Sequence, residues 1–153
     1  MNCYCGSAKQ FERCCQPIHG AHAAAETAEA LMRARYSAYC LGDNEFIRRS
    51  WLTAYQQQPE AVSEAAKLKW CGLTIVSTQA GQKEQCEGQV EFKAWFIEEN
   101  RLYCLHENSR FVHQRGLWFY QDGEIFEQGS KAISSNTLCP CGSGKKFKRC
   151  CRS

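Results

Sequence analysis

The sequence predicts an α+β fold, helices packed on an antiparallel sheet with a small cysteine-built knuckle at each end, and three observations predict it. Apolar residues recur at helical spacing through residues 27–42. From Trp70 onward the chain turns rich in β-branched and aromatic residues broken by short turns. A thirteen-residue segment with four cysteines occurs twice, once near each end. The 153 residues suit one domain of ordinary size with small appendages, and 44% apolar with 23% charged residues is the composition of a chain that folds.

The first element reads Cys3-Tyr4-Cys5-Gly6-Ser7-Ala8-Lys9-Gln10-Phe11-Glu12-Arg13-Cys14-Cys15, and the last, Cys139 to Cys151, is identical to it at nine of thirteen positions. Neither a basic, apolar leader nor a run of about 18 apolar residues is present, so the expected compartment is the cytoplasm. Reductants there keep thiols free, which makes metal binding the natural use of twelve cysteines. Each segment supplies four soft ligands, the number that closes a tetrahedral structural zinc site. We therefore expect two zinc ions per chain, one held by Cys3, Cys5, Cys14 and Cys15, the other by Cys139, Cys141, Cys150 and Cys151. Gly6 and Gly142 stand where the chain must turn around the metal and can take positive φ. Amides of that turn would then donate to the bound sulfurs, and Phe11 and Phe147 would each form a one-residue core under its own metal.

Between these segments, residues 16–26 read as a connection with exposed His19 and His22. A helix follows, capped by Thr27 and stopped at Gly42, with Ala28, Leu31, Met32, Arg35, Tyr36 and Tyr39 on one face. Asp43 caps a second helix with Phe46, Ile47, Ser50, Trp51 and Ala54 inward, and Pro59 opens a third around Val62. Strands are expected at 70–79, 86–98, 102–114 and 117–121, with a short extra piece at 124–128. Short turns join them, so the sheet should be an antiparallel meander with one face on the helices. The expected division is 1–16, 27–130 and 138–153.

Both terminal segments resemble the SEC-C motif, the zinc-binding element also found at the C-terminus of the SecA preprotein translocase ATPase. There it docks the SecB chaperone and is implicated in ribosome contacts, which implies a protein or ribosomal partner. The stretches Ala28 to Tyr39, Val90 to Ala94 and Leu105 to Phe111 resemble the YchJ-like family of bacterial proteins. That resemblance implies a nuclear transport factor 2-like centre, a curved sheet wrapped on helices into a cone. Such cones bind small molecules, catalyse, or mediate association, so the fold leaves function open.

Arg35 interrupts an apolar stripe and needs a carboxylate or carbonyl partner. Glu91 and Glu107, on adjacent strands, are the expected acids facing it, as an ion-pair network or as a pocket that also includes His106. His106 and Glu107 should point to opposite faces, because the side-chain period of a strand is two. Nothing here assigns a catalytic residue. Trp51, Trp70, Trp95 and Trp118 are expected in the core or pocket wall, and Cys40, Cys71, Cys86 and Cys104 as small buried groups.

Three function classes follow. The first is a zinc-binding adaptor whose knuckles dock a protein or ribosomal partner; the second is a small-molecule binder or enzyme using the cone. The third is a nucleic-acid contact through the basic C-terminal knuckle; under the first, Lys145, Lys146, Lys148, Arg149 and Arg152, on the flexible tether Ser134 to Thr137, make that knuckle the one expected to reach an acidic partner. Charge argues weakly for the third, since each zinc with four thiolates carries −2 and two such sites convert the formal +3 to −1.

Overall fold

In the computed structural model, residues 1–53, 59–126 and 129–152 are described. Four helices come first: α1 (Cys15–Gly20), α2 (Ala28–Leu41), α3 (Asn44–Arg49) and α4 (Pro59–Ala66). Strands β1 (Lys69–Ala80), β2 (Glu87–Glu98), β3 (Arg101–Gln114) and β4 (Leu117–Ile125) form an antiparallel meander. A short β5 (Ser130–Ala132) returns to pair with the start of β3. The α+β architecture is the expected one.

The helix signals act as read. Thr27 accepts a hydrogen bond from the Ala30 amide, and Gly42 stops α2 in the left-handed region at φ 72°. Asp43 likewise accepts from the Phe46 amide to open α3. Burial on α2 is wider than a single stripe. Ala34, Ser37 and Ala38 are buried along with Ala28, Leu31, Met32, Arg35 and Tyr36, because α1 and the N-terminal knuckle cover the side turned away from the sheet.

The connection after Cys15 is thus an ordered layer. His19 bonds through Nε2 to the Ala34 carbonyl at 2.7 Å, and buried His22 donates from Nε2 to the Trp118 carbonyl at 2.6 Å. Both were expected to be exposed. Ala54 of the expected second helix, and residues 127–128 of the expected extra strand, lie outside the described residues. Residues 124–125 instead extend β4.

Along β2, Gly88, Val90, Phe92 and Ala94 are buried in alternation, the inner face of the sheet. At the far end the outer face is covered too. Ile97 packs there with Cys139 and Phe147 of the C-terminal knuckle, and Cys71, Leu102 and Ile133 close around them. Trp70 faces inward while Cys71 joins this outer cluster, and the bulge between Trp70 and Gly72 brings Leu73 back to the inner face.

Candidate functional site

Within each knuckle the four Sγ atoms lie within 4.8 Å of one another. Cys5 to Cys14 is 3.6 Å and Cys14 to Cys15 3.9 Å; Cys141 to Cys150 is 3.4 Å and Cys150 to Cys151 4.0 Å. Tetrahedral metal–sulfur bonds of about 2.3 Å place sulfurs about 3.8 Å apart, so both donor sets fit a four-thiolate metal site. Gly6 and Gly142 take φ 78° and 82°, turning the chain as expected. The backbone of Ser7 bonds to Cys5 and that of Ser143 to Cys141, while their hydroxyls sit 3.2 Å from the sulfurs of Cys14 and Cys150.

Thiols held this closely cannot all ionise without a cation. Hydrogen bonding with Cys15 draws the Cys5 thiol down to about 4, and the same contact with burial pushes Cys15 far up. Burial works against ionisation of Cys141, yet hydrogen bonds from Ser143 and Cys150 outweigh it and bring that thiol to about 6. A bound divalent cation removes the conflict by stabilising every thiolate at once.

The two knuckles differ in how they join the fold. Buried Cys3, Cys5 and Cys15 belong to the main core, Cys3 Sγ lies 3.6 Å from Ser37 Oγ, and Arg33 donates to the Cys5 carbonyl at 2.8 Å. Phe11 is only half-buried there and meets the rings of Tyr4 and His19, so it does not form a core of its own. Phe147 is buried in the separate cluster with Ile97. Nor do residues 134–137 form a loose tether. Thr137 folds back onto the Ser134 carbonyl, and Phe147 and Lys148 donate to the carbonyls of Thr137 and Ser135.

The second feature is a cavity of about 510 Å³ between α2 and the inner face of the sheet. Its walls include Met32, Tyr36, Tyr39, Trp51, Trp70, Phe92, Phe96 and Leu105, with Arg35, Glu107, Ser109 and Tyr120 as polar members and exposed Ile125 at the rim. Arg35 is buried, as its place in the stripe implies, but among the described residues no carboxylate lies within ion-pair distance. It donates to the Ile47 carbonyl at 2.7 Å and Ser50 Oγ at 2.6 Å, and its guanidinium stands over Tyr120 and Trp51 at 4.7 and 5.2 Å from their centroids. Burial pushes its pKa below the ordinary arginine value, opposed by Tyr39, Tyr120 and Glu107, and the group remains a cation.

Glu107 is buried on β3. Its Oε2 accepts from Ser109 Oγ at 2.5 Å and from Tyr120 OH at 2.8 Å; Oε1 has no hydrogen-bond partner among the described residues. Burial, then Glu107, raises the Tyr120 phenol, which keeps it a donor. Gly123 opposite Ser109 is what makes room: a Cβ there would stand 2.3 Å from Glu107 Oε2. Ser109, Tyr120 and Gly123 were not singled out as site residues by sequence, where Asp122-Gly123 reads as a strand break, because only the strand register brings them to Glu107.

Glu91 and His106 lie elsewhere. Glu107 is opposite Phe92 and Glu91 opposite Asn108, so Glu91 shares the other face with His106, its Oε2 2.7 Å from His106 Nε2. Neither lines the cavity. Trp51 and Trp70 do, and Trp118 is buried, whereas Trp95 is half-buried outside both core and cavity, near Gly72. Cys40, Cys71 and Cys104 are partly buried, and Cys86 is exposed, contrary to expectation. Burial raises Cys40 to about 11 and Cys71 to about 12, so both stay thiols.

Comparison with known proteins places these features together. Residues 27–123 match the model of the YchJ middle, NTF2-like domain, and residues 136–153 that of the SEC-C motif. A UPF0225 protein of Vibrio parahaemolyticus is 41% identical, covering 98% of both chains, and one of Vibrio cholerae is 42% identical over 99% of both. The crystal structure of a SEC-C motif containing protein from Psychrobacter arcticus superposes with a TM-score of 0.68 at 32% identity, covering 99% of this chain and 96% of that one. The solution structure of RPA3114, a SEC-C motif containing protein from Rhodopseudomonas palustris, gives 0.75 at 30% identity over 83% of this chain and all of the other.

Proposed function

Because the chain belongs to the UPF0225 family, with its YchJ-type NTF2-like middle domain and SEC-C motif, we propose that it is a small-molecule-binding protein whose cone is held in shape by two zinc ions. The cavity carries this reading. Its volume of about 510 Å³ falls within the range of specific ligand sites, roughly 300–1,000 Å³, and its walls are aromatic around few polar groups. A cone serving only as a scaffold would be expected to fill such space with side chains. Zinc is favoured by donor sets of thiolates alone, four per site, and by the SEC-C match. Twelve free cysteines suit a reducing cytoplasm, where we place the protein.

The test is titration of the isotope-labelled, metal-loaded protein with indole, followed by NMR. Shifts should concentrate at Trp70, Phe92 and Tyr120 and vanish in Ala94→Leu, which fills the cavity. Shifts absent from these residues, or unchanged by Ala94→Leu, would overturn the reading.

A second reading rests on Lys145, Lys146, Lys148, Arg149 and Arg152, all exposed around the C-terminal knuckle. It makes that knuckle a docking surface for an acidic protein or ribosomal partner. Electrostatic attraction of this kind raises association rate more than affinity. Nucleic-acid contact uses the same cations, but no base-stacking aromatic array supports it. Binding to either partner that survives neutralising the five cations argues against this second reading.

A further inference from the structure

Resting on the reading of the cone as a ligand site, we propose that its ligand is an organic amine with an apolar ring body, the ring lying against the Trp70 wall and the ammonium bound by Glu107. The polar valence left open in the cavity decides the sign. Glu107 Oε2 is already held by Ser109 and Tyr120, whereas Oε1 has no hydrogen-bond partner among the described residues although the side chain lines the cavity. A carboxylate oxygen so placed calls for a donor, and a protonated amine is the strongest it can take.

The same geometry argues against an anion. Arg35 spends Nη1 on the Ile47 carbonyl and Ser50, has Tyr39 as a further side-chain partner and lies over the rings of Trp51 and Tyr120, so only part of its fork could meet a carboxylate or phosphate. Among the described residues the charged ones lining the cavity are Arg35, Glu107 and Asp122, of which only Arg35 and Glu107 direct their charge into it. Asp122 is paired with Arg110, which does not line this cavity. Trp70 meets Tyr36, Tyr39 and Phe96 at 6.2, 6.0 and 5.1 Å between centroids, an apolar wall for a ring. The negative faces of these rings favour a cation nearby as well.

Three matched probes test it by calorimetry on the metal-loaded full chain: 2-naphthylmethylamine, 2-naphthylmethanol and 2-naphthoic acid. The amine should bind about tenfold or more tighter than the acid, as a charge-assisted hydrogen bond implies. Glu107→Gln should erase that preference while weakening the alcohol far less than the amine. Should that variant fail to fold, intermolecular NOEs in the unmutated protein decide, since the amine methylene must then lie beside the Glu107 side-chain methylenes. Acid binding as tight as amine, a preference that survives Glu107→Gln, or a methylene placed beside Ser50 overturns the amine assignment. Indole binding that persists alongside any of these leaves the ligand-site reading standing on its own.

Discussion

Arg35 shows how a buried charge is settled at the scale of one side chain. Expectation paired it with an acid of the sheet, but a carbonyl, a hydroxyl and two ring faces hold it, with Glu107 contributing only through the field. That arrangement leaves Glu107 free to take its own donors. His22 presents the opposite problem, a titratable ring buried without an acid. Its Nε2–H is committed to the Trp118 carbonyl, and the rings of Phe46 and Phe119 enclose it. Burial first, then Arg49 and Arg35, pushes its pKa below the usual 6.5. The unfolded chain therefore takes up the proton more readily than the folded one. Stability from neutral His22 is fully present above about pH 6.5 and is lost as pH falls toward the folded pKa. Urea unfolding at pH 7.5 and 5.5 should show a larger loss for the native sequence than for His22→Gln, a comparison that cancels any effect of acid on the metal sites. Equal losses would mean that His22 titrates as freely in the fold as outside it.

Among elements, the β1–β2 hairpin is a junction where backbone meets backbone. Gly81 takes φ 80° at its turn, its carbonyl accepts from the Ala28 amide, and a Cβ on Gly88 would stand 2.4 Å from the Gly81 Cα. No rotamer relieves a clash with backbone, so Gly88→Ala should cost about 1–3 kcal/mol, the range of an overpacked site. Chemical denaturation would measure it, and a neutral substitution would show that the hairpin can open without loss. The elements themselves were legible because their signals are local: Thr27 and Asp43 cap, Gly42 stops, and alternation marks β2 and β3. What was not legible is register. Whether Glu91 meets Phe92's neighbour Glu107 or lies behind it depends on register parity, and one residue of slip exchanges the two faces. Likewise the ordered α1 layer follows from contacts with α2 that no local pattern announces. Eight cysteines in two repeats, by contrast, name their partners by spacing alone, and the structure brings each set of four together.

Across the whole molecule, the two repeats are alike in sequence and unlike in what they hold together. Cys3, Cys5 and Cys15 share the core of α2 and the sheet, and the Cβ of any residue replacing Gly6 would meet the Leu73 carbonyl at 3.1 Å. The C-terminal set instead closes a small separate cluster over Ile97 and is fastened by β5 and by Lys69 donating to the Cys151 carbonyl. Sequence could not reveal this difference, since the two repeats share their four cysteines and the glycine turn between them, and the partner surfaces lie far along the chain. Metal analysis should find two zinc ions per chain and one in each of Cys14→Ser/Cys15→Ser and Cys150→Ser/Cys151→Ser. Loss of the N-terminal ion unpins thiols buried in the main core, where unpaired polar groups are costly, so calorimetry should show the principal transition fall by tens of degrees or disappear. Loss of the C-terminal ion frees only the sheet end. A cost of about 1–2 kcal/mol in the remaining fold corresponds to only a few degrees in a chain of this size. Equal effects from the two double variants would show that the sheet end and the core unfold as one unit, and the asymmetry argued from burial would be wrong.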